Sequence, residues 1–331
     1  MPRIERVTLS TVANAAGVSL ATVSKVVNNR HDVSPGTRAR VRQLLEQQNY
    51  VPVSGRPAVG LRLVHLVFPH LDSPWAIEII RGVTGSGLDV VVSSTTDTPG
   101  PERWAEHLAG ACGAGAIIVT SDLTEPQRQA LARANVPYVL IDPVDLPGPD
   151  VPSVGATNWA GAYEATEHLL QLGHRRIAMI GGPQRLLCSR ARIDGYRAAL
   201  DAAGLPIDPT LIRHGDFHHF GGCTRARELL ALPDRPTAIF AGSDEQAFGV
   251  VEAARTCGLS VPGDLSVVGF DDLPMSRWAS PPLTTVRQPL AQMGRAAAQM
   301  LQSLMEGRAL NSCRVELSTA LIVRSSTAPP R

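Results

Sequence analysis

Two kinds of hydrophobic spacing divide this chain. Over the first fifty residues apolar side chains recur at helical intervals: Leu9, Val12, Ala13 and Ala16, then Val23, Val26 and Val27. From Leu63 onward they gather into short runs at 63–68 (LVHLVF), 88–93 (LDVVVS), 115–120 (GAIIVT), 136–141 (VPYVLI), 176–181 (RIAMIG), 237–242 (TAIFAG) and 264–269 (DLSVVG). A strand covered on both faces of a parallel sheet requires such runs. Helical stretches intervene, for example 159–172, 190–203 and 246–257. This alternation predicts doubly wound parallel sheets, with ligand sites at the carboxyl ends of strands.

The N-terminal segment predicts three short helices. Thr8 caps a helix from Leu9 to Ala16, and Gly17 ends it in a tight turn. Ser19 caps a second helix from Leu20 to Asn28; Ser34 caps a third, with Pro35 at its first position, running to Gln48. On the second helix Val23, Val26 and Val27 share the packing side. Ala21, Ser24, Lys25 and Asn28 lie opposite, and Leu20 sits near the boundary at the N-terminal end. Two helices joined by a tight glycine turn, the second presenting its N-terminal half, form a helix-turn-helix.

Composition narrows the class. The chain has 331 residues, 44% hydrophobic and 18% charged, as expected of a globular protein of two or three domains. No window approaches the roughly 18 apolar residues of a membrane span. The start, MPRIERVTLSTVANAAG, is polar where a secretion signal is apolar, so a cytoplasmic location is expected. Five cysteines (Cys112, Cys188, Cys223, Cys257, Cys313) are widely spaced with no CxxC, which favours reduced, packed thiols over disulfides or structural zinc. The net charge of +1 hides an asymmetry. Residues 1–62 hold nine basic and three acidic side chains, hence +6; the remainder holds 22 and 27, hence −5. A basic module on an acidic body implies a polyanionic partner for the module. Lys25 is the only lysine; every other Lys/Arg position is arginine.

The run VTLSTVANAAGVSLATVSKVVNN, then VSPGTRARV, then NYVP, resembles the lactose-repressor (LacI/GalR) family of bacterial transcription regulators. The resemblance implies that the second helix enters the major groove of DNA and that Leu20, Ala21 and Lys25 face base edges. The chemistry suits those roles. Lysine donates to guanine O6 and N7, and apolar atoms of Leu20 and Ala21 can touch a thymine methyl. Thr8, Ser19, Thr22, Ser24, Asn28 and Arg38 suit phosphate contacts, which set position rather than sequence. In the family the next segment forms a hinge helix on DNA, with a leucine wedged into the minor groove. Here it reads VPVSGRPAVGLR, about three residues shorter, and Gly55, Pro57 and Gly60 oppose a helix. Val59 and Leu61 are the candidate wedges, and Arg56 is a candidate minor-groove cation.

Beyond the head, SPWAIEIIRG, TEHLLQLGHRRIAMIGG, SRARIDGYRAAL, TAIFAGSDEQAFG, SVVGFDDLP and SPPLTTVRQP carry the same resemblance. It implies an all-α helix-turn-helix head followed by an α/β periplasmic-binding-protein-like body of two doubly wound parallel-sheet subdomains. The expected division is a head at 1–50, a hinge at 51–62, and a body at 63–331. Within the body, the first subdomain takes about 63–157 and 290–317, the second about 158–286 and 318–327. RGVTGSGLDVVV is about a turn shorter than the family's first body helix and its turn.

Strand ends offer Asp72, Ser73, Asp142, Asn158, Arg192, Ser243, Asp244, Asp271 and Gln288 as polar groups, with Trp75, Trp159, Phe217 and Trp278 as flat apolar faces. Carboxylates accept from vicinal hydroxyls, arginine donates to them, and aromatic faces cover a sugar's C–H face. By motif the resemblance assigns effector contacts to Asp142, Arg192, Asp271 and Gln288. It places Cys188 where a ligand serine is common, Phe217 where an aromatic stacks, and Ser243 where asparagine or a neighbour binds. Of Arg190 and Arg192, one is expected to form a structural ion pair, and Arg192 is assigned to the ligand. His218 and His219, adjacent in sequence, do not share a helix face, so no metal is expected. IGGP lacks a phosphate-loop signature, so no nucleotide cofactor is expected.

These readings together predict a ligand-responsive repressor that binds a near-palindromic double-stranded operator at the nucleoid. No leucine heptad follows VRSSTAPPR, so a homodimer is expected rather than a tetramer. The effector is a mono- or oligosaccharide, with a purine or nucleoside as the alternative. SPWAIEIIRG and WASPPLTTVRQP resemble actinobacterial-type members that sense plant-cell-wall oligosaccharides or pentosides. A solute receptor would not need the basic head. An enzyme of the Rossmann type would need a GxSxG, HExxH, GxGxxG or Walker sequence, none of which occurs.

Overall fold

Gly17, at φ +66°, turns the chain between the first two helices. Its N–H donates to the Asn14 carbonyl and that of Val18 to the Ala13 carbonyl, closing the C-terminus of α1 (Leu9–Ala16). The computed structural model describes residues 9–27, 33–47, 63–95, 104–105, 108, 114–120 and 123–331. Thr8, the side chain of Val27, Asn28, Arg56, Val59 and Leu61 lie outside the described residues. The chain falls into two compact units, Met1–Leu61 and Arg62–Arg331.

In the first unit, α2 spans Leu20–Val27 and α3 spans Pro35–Gln47. Ser19 Oγ accepts from the Thr22 N–H at 3.1 Å, and Ser34 Oγ from that of Thr37 at 3.3 Å, so both serines cap as expected. Val12, Ala13 and Ala16 of α1, Val23 and Val26 of α2, and Val41 of α3 form its core.

Among the described residues, the second unit holds two six-stranded sheets. The first contains β1 (Val64–Phe68), β2 (Val90–Ser94), β3 (Gly115–Val119), β4 (Tyr138–Ile141), β5 (Ser153–Ala156) and β11 (Arg314–Leu317), in the order β11-β5-β4-β3-β1-β2. The second contains β6 (Ile177–Gly181), β7 (Ile212–His214), β8 (Ala238–Ala241), β9 (Ser266–Asp271), β10 (Thr284–Arg287) and β12 (Ala320–Ile322), in the order β12-β10-β9-β8-β6-β7. Pairing is parallel except between β10 and β12. All seven apolar runs are strands, and the sheets add β5, β7, β10, β11 and β12, which the apolar runs do not mark.

Helices α4 (Pro74–Thr84), α5 (Glu125–Arg133), α6 (Asn158–Gln171), α7 (Leu187–Ala202), α8 (His219–Leu230), α9 (Asp244–Thr256) and α10 (Leu290–Met305) cover the sheets. Helix α10 follows a strand of the second sheet but packs in the first lobe, where Met293 and Leu301 meet Leu66, Ile79 and Ile117. A Cβ on Gly82 of α4 would run into the Ala291 backbone, so the two helices meet backbone to backbone there. The chain therefore crosses between lobes three times: β5 to α6, β10 to α10, and β11 to β12. The first and third crossings are tied together. Thr157 and Thr319 hydroxyls lie 3.0 Å apart, and the Thr319 N–H donates to Thr157 Oγ1 at 2.9 Å. Among the described residues no helix is long and apolar enough to cross a membrane.

Candidate functional site

The second helix of the head sorts its side chains cleanly. Val23 and Val26 are buried, whereas Ala21 and Lys25 are exposed and Leu20 is 53% exposed. A leucine left in water at a helix N-terminus contributes little to folding, and the same short helix carries the chain's only lysine. Thr22, Ser24 and Arg38 are partly exposed, and Ser19 is exposed while its hydroxyl caps the helix. Helix α2 thus exposes apolar groups and an ammonium, with the hydroxyls of Thr22 and Ser24 partly exposed on the same helix.

In the body, strand carboxyl ends from both lobes converge on a cavity of about 320 Å³. Asp72, Ser73, Trp75, Asp142, Cys188, Arg192, Phe217, Ser243 and Asp271 all line it. Four lining residues hold positive φ: Thr120 (+44°), Asp142 (+45°), Phe217 (+72°) and Asp271 (+117°). Such backbone costs about 1–3 kcal/mol per residue and persists where the surroundings fix it. Here it turns side chains inward just past the strands. Gly182 lets the Phe217 ring lie flat on the main chain, since any Cβ there would strike that ring.

Arg192, on α7, is the hub. Its Nε donates to Asn158 Oδ1 at 2.8 Å, Nη1 donates to the Gly242 carbonyl, and Nη2 donates to Gln288 Oε1 at 3.1 Å. Phe270 lies under the guanidinium at 3.7 Å from the ring centre. Gln288 Nε2 donates onward to Asp142 Oδ2 at 2.9 Å, so one amide joins a carboxylate of the first lobe to an arginine of the second. Burial pushes Asp142 up to about 6, partly offset by Arg192 and Gln288. Burial also raises Asp271 well above the usual carboxylate range, against the opposing pull of Arg192. Among the described residues, buried Asp271 Oδ1 has no hydrogen-bond partner. Desolvation lifts the Cys188 thiol to about 11, leaving a small protonated group on the wall. Arg190 pairs instead with Asp145 at 2.8 Å on the exposed side, the structural ion pair expected of one of these two arginines.

Several expected contacts are corrected. Asp244 does not line the cleft. It is fully buried and accepts from the Leu273 N–H at 2.7 Å, from Ser276 at 2.6 Å and from Thr285. Trp278 follows a short 3-10 turn, is 78% exposed and does not line the cavity. Asn158 and Gln288 stand behind the wall and orient Arg192. Ser243 lines the cleft, but its hydroxyl caps α9 and donates to the Phe217 carbonyl at 2.6 Å. Trp159 faces a neighbouring cavity. The histidines diverge: His218 lies 3.3 Å from Glu245 and His219 lies 3.2 Å from Glu252.

Sequence reasoning missed His70, Thr120, Arg185, Asp216, His218 and Glu245 on the cleft wall. Thr120 sits at the end of a predicted strand and was findable by the same rule as Asp142. Glu245 was not, because which residue of a helix's first turn points inward depends on how the helix docks. Its carboxylate accepts from Ser73 Oγ at 2.6 Å, linking the lobes across the cleft.

The model of bacterial regulatory proteins, lacI family, matches residues 8–53, and that of a periplasmic binding protein-like domain matches 166–327. The HTH-type transcriptional regulator CelR of Thermobifida fusca is 37% identical over 339 residues, covering 98% of this chain and 100% of that protein. The ribose operon repressor of Escherichia coli (strain K12) is 34% identical over 328 residues, covering 96% and 99%. Among solved structures, a transcriptional regulator CelR–cellobiose complex superposes with TM-score 0.75 at 36% identity, covering 97% and 100%. A lac repressor dimer bound to operator and the anti-inducer ONPF gives TM-score 0.75 at 29% identity, covering 98% and 100%.

Proposed function

Since the chain belongs to the lacI family of bacterial regulatory proteins, we propose that it represses transcription as a homodimer on a near-palindromic operator, with a sugar in the cleft setting its affinity for DNA. Its relatives are transcription regulators and not enzymes. The head, residues 1–50, reads bases through Leu20, Ala21 and Lys25. Ser19, Thr22, Ser24 and Arg38, with Thr8 and Asn28, hold phosphates. Residues 51–62 tether the head to the body, with Arg56, Val59 or Leu61 at the minor groove. The protein works in the cytoplasm, on the nucleoid.

The observation that carries the effector reading is the unpartnered Asp271 Oδ1 beside the Arg192 guanidinium and the Phe217 ring. That oxygen needs a donor, the guanidinium offers N–H groups, and the ring offers an apolar face. A sugar carries hydroxyls and C–H faces together. Asp72, Asp142, Asp216, Glu245 and Asp271 line the cleft against Arg185 and Arg192. This excess of carboxylates disfavours phosphorylated or acidic effectors. Control by the sugar requires that it bind one arrangement of the lobes better than another. Gln288, bonded to both lobes at a crossing, is placed to feel that difference. Thermal-shift titration with neutral sugars, and with adenine and guanosine as the contrasting arm, tests the reading. Stabilisation by a sugar is expected; stabilisation by a purine alone contradicts it.

A further inference from the structure

The last residue of β9 and the one after it serve different places. Asp271 lines the cleft; Asp272, also at positive φ (+55°), does not. The Asp272 side chain is 1% exposed and meets three arginines. Arg324, two residues past β12, donates from Nη2 to Oδ1 and from Nη1 to the Leu283 carbonyl at 2.7 Å. Arg287, the last residue of β10, donates from Nε to Oδ2 at 2.8 Å. Arg277, at the end of the 3-10 turn Pro274–Arg277, brings Nη2 to 3.9 Å from that same Oδ2.

One buried carboxylate is balanced by one cation. Arg324, only 14% exposed, provides it from the inner side. Arg287 and Arg277 are surplus to that balance, 49% and 61% exposed, and converge on a single oxygen, which crowds like charges together. Among the described residues, Nη1 and Nη2 of Arg287 and the whole Arg277 side chain donate no hydrogen bond. Asp244, whose carboxyl feels the charge of Asp272, does not offset the surplus. Burial lifts it to about 7, and it already accepts from Leu273, Ser276 and Thr285.

Two exposed guanidiniums with free N–H groups, fixed from behind by a buried carboxylate, fit an anion that presents several oxygens. A phosphate group carries a charge of about −1.5 to −2, and arginine grips such groups through paired N–H donors. We propose that Arg277 and Arg287 bind a phosphate group, as the free ion or as a phosphomonoester, with Asp272 and Arg324 as the support that holds them. None of the four lines the cleft, whose carboxylates disfavour the same anion, so the two sites select different ligands. The proposal does not depend on the sugar reading. Asp272 and Arg287 are sequence neighbours of Asp271 and Gln288, so the phosphate site and the cleft are built on the same two strand ends.

The test is thermal unfolding of the full chain, without sugar or DNA, at an ionic strength held constant with sodium chloride. Inorganic phosphate and glycerol 3-phosphate are titrated separately, with glycerol as the control. A saturable rise in the melting temperature of the body is expected in the wild type. Arg277→Gln is expected to weaken binding by roughly fivefold, and Arg277→Gln combined with Arg287→Gln to abolish it. Arg277→Lys, which keeps the charge and loses the paired donors, is expected to recover only part. Melting without any anion checks that each variant folds, and the head, identical in all of them, contributes equally throughout. A response to inorganic phosphate marks a site for the free ion; a response to glycerol 3-phosphate alone marks a site for a phosphomonoester. No saturable rise with either, or the same rise in the wild type and the double variant, as a general salt effect would give, overturns the proposal.

Discussion

Nη2 of Arg192 stands 3.8 Å from Oδ1 of Asp271, a buried oxygen with no hydrogen-bond partner among the described residues. Three of the arginine's five N–H groups are committed, to Asn158, to Gly242 and, from Nη2 itself, to Gln288. The pair is thus held close without being closed, which suits a ligand hydroxyl placed between them.

Arg192→Ala is expected to abolish the sugar response while operator binding without sugar persists. It leaves buried carboxyls without their cation, so the body should lose about 3 kcal/mol of stability. Asp271→Asn keeps the shape and should weaken sugar binding at least roughly tenfold. Titration calorimetry and urea unfolding separate the two effects. An intact sugar response in Arg192→Ala would return this residue to a purely structural role.

Burial lifts Asp142 to about 6 and Asp244 to about 7. A carboxyl whose folded pKa is raised binds its proton more tightly in the folded state. Its contribution to stability is whole below the unfolded value and is lost as pH rises through the folded one. Without added sugar, these two carboxyls should therefore withdraw their stabilising contribution between about pH 4 and 7, against the opposite trend of His65, His168, His174 and His214, whose pKa values desolvation lowers. Asp142→Asn should flatten the lower part of that decline. Melting temperatures of both proteins across this range check it, and an unchanged slope in the variant contradicts the assignment.

The head allows a contrast within one helix. Val23 is buried and Leu20 is half exposed. Val23→Ala should cost the head about 2 kcal/mol, whereas Leu20→Ala should leave its stability within about 0.5 kcal/mol and weaken operator binding. Thermal unfolding and fluorescence anisotropy on a duplex operator distinguish these outcomes.

Glu245 joins Ser73 across the cleft and also lies beside His218. Glu245→Ala removes a charge-assisted hydrogen bond between lobes. It should weaken sugar binding by roughly tenfold without disturbing the fold, because the carboxylate lies at the cleft wall and not in a core. Calorimetry checks this; an unchanged affinity would make the contact incidental.

The sequence revealed elements whose apolar side chains alone decide their structure. The head helices and seven strands emerged because Val12, Val23, Ile117, Met179 and Ile239 mark buried faces without needing partners to identify them. Strands β5, β7, β10, β11 and β12 are three or four residues long and exist through their neighbours. Thr284 and Thr285 of β10 are buried, which hydropathy opposes, because their hydroxyls find partners: that of Thr284 accepts from the Arg324 N–H and that of Thr285 donates to Asp244. The cleft followed the same division. Asp142, Arg192 and Asp271 were legible as strand-end or motif residues. Asp244 and Glu245 were not separable in sequence, since one step along α9 turns a side chain from Ser276 and Thr285 toward Ser73.

Lys25 carries the central claim, that the exposed face of α2 reads base edges. Selection of bound sequences from a random duplex pool, at fixed salt, measures this for the wild type and Lys25→Ala. The wild type should enrich a near-palindrome, and the variant should lose preference at one or two base pairs in each half-site while keeping the rest. A wild type that enriches no sequence, or a variant with the same preference at every position, would contradict the account.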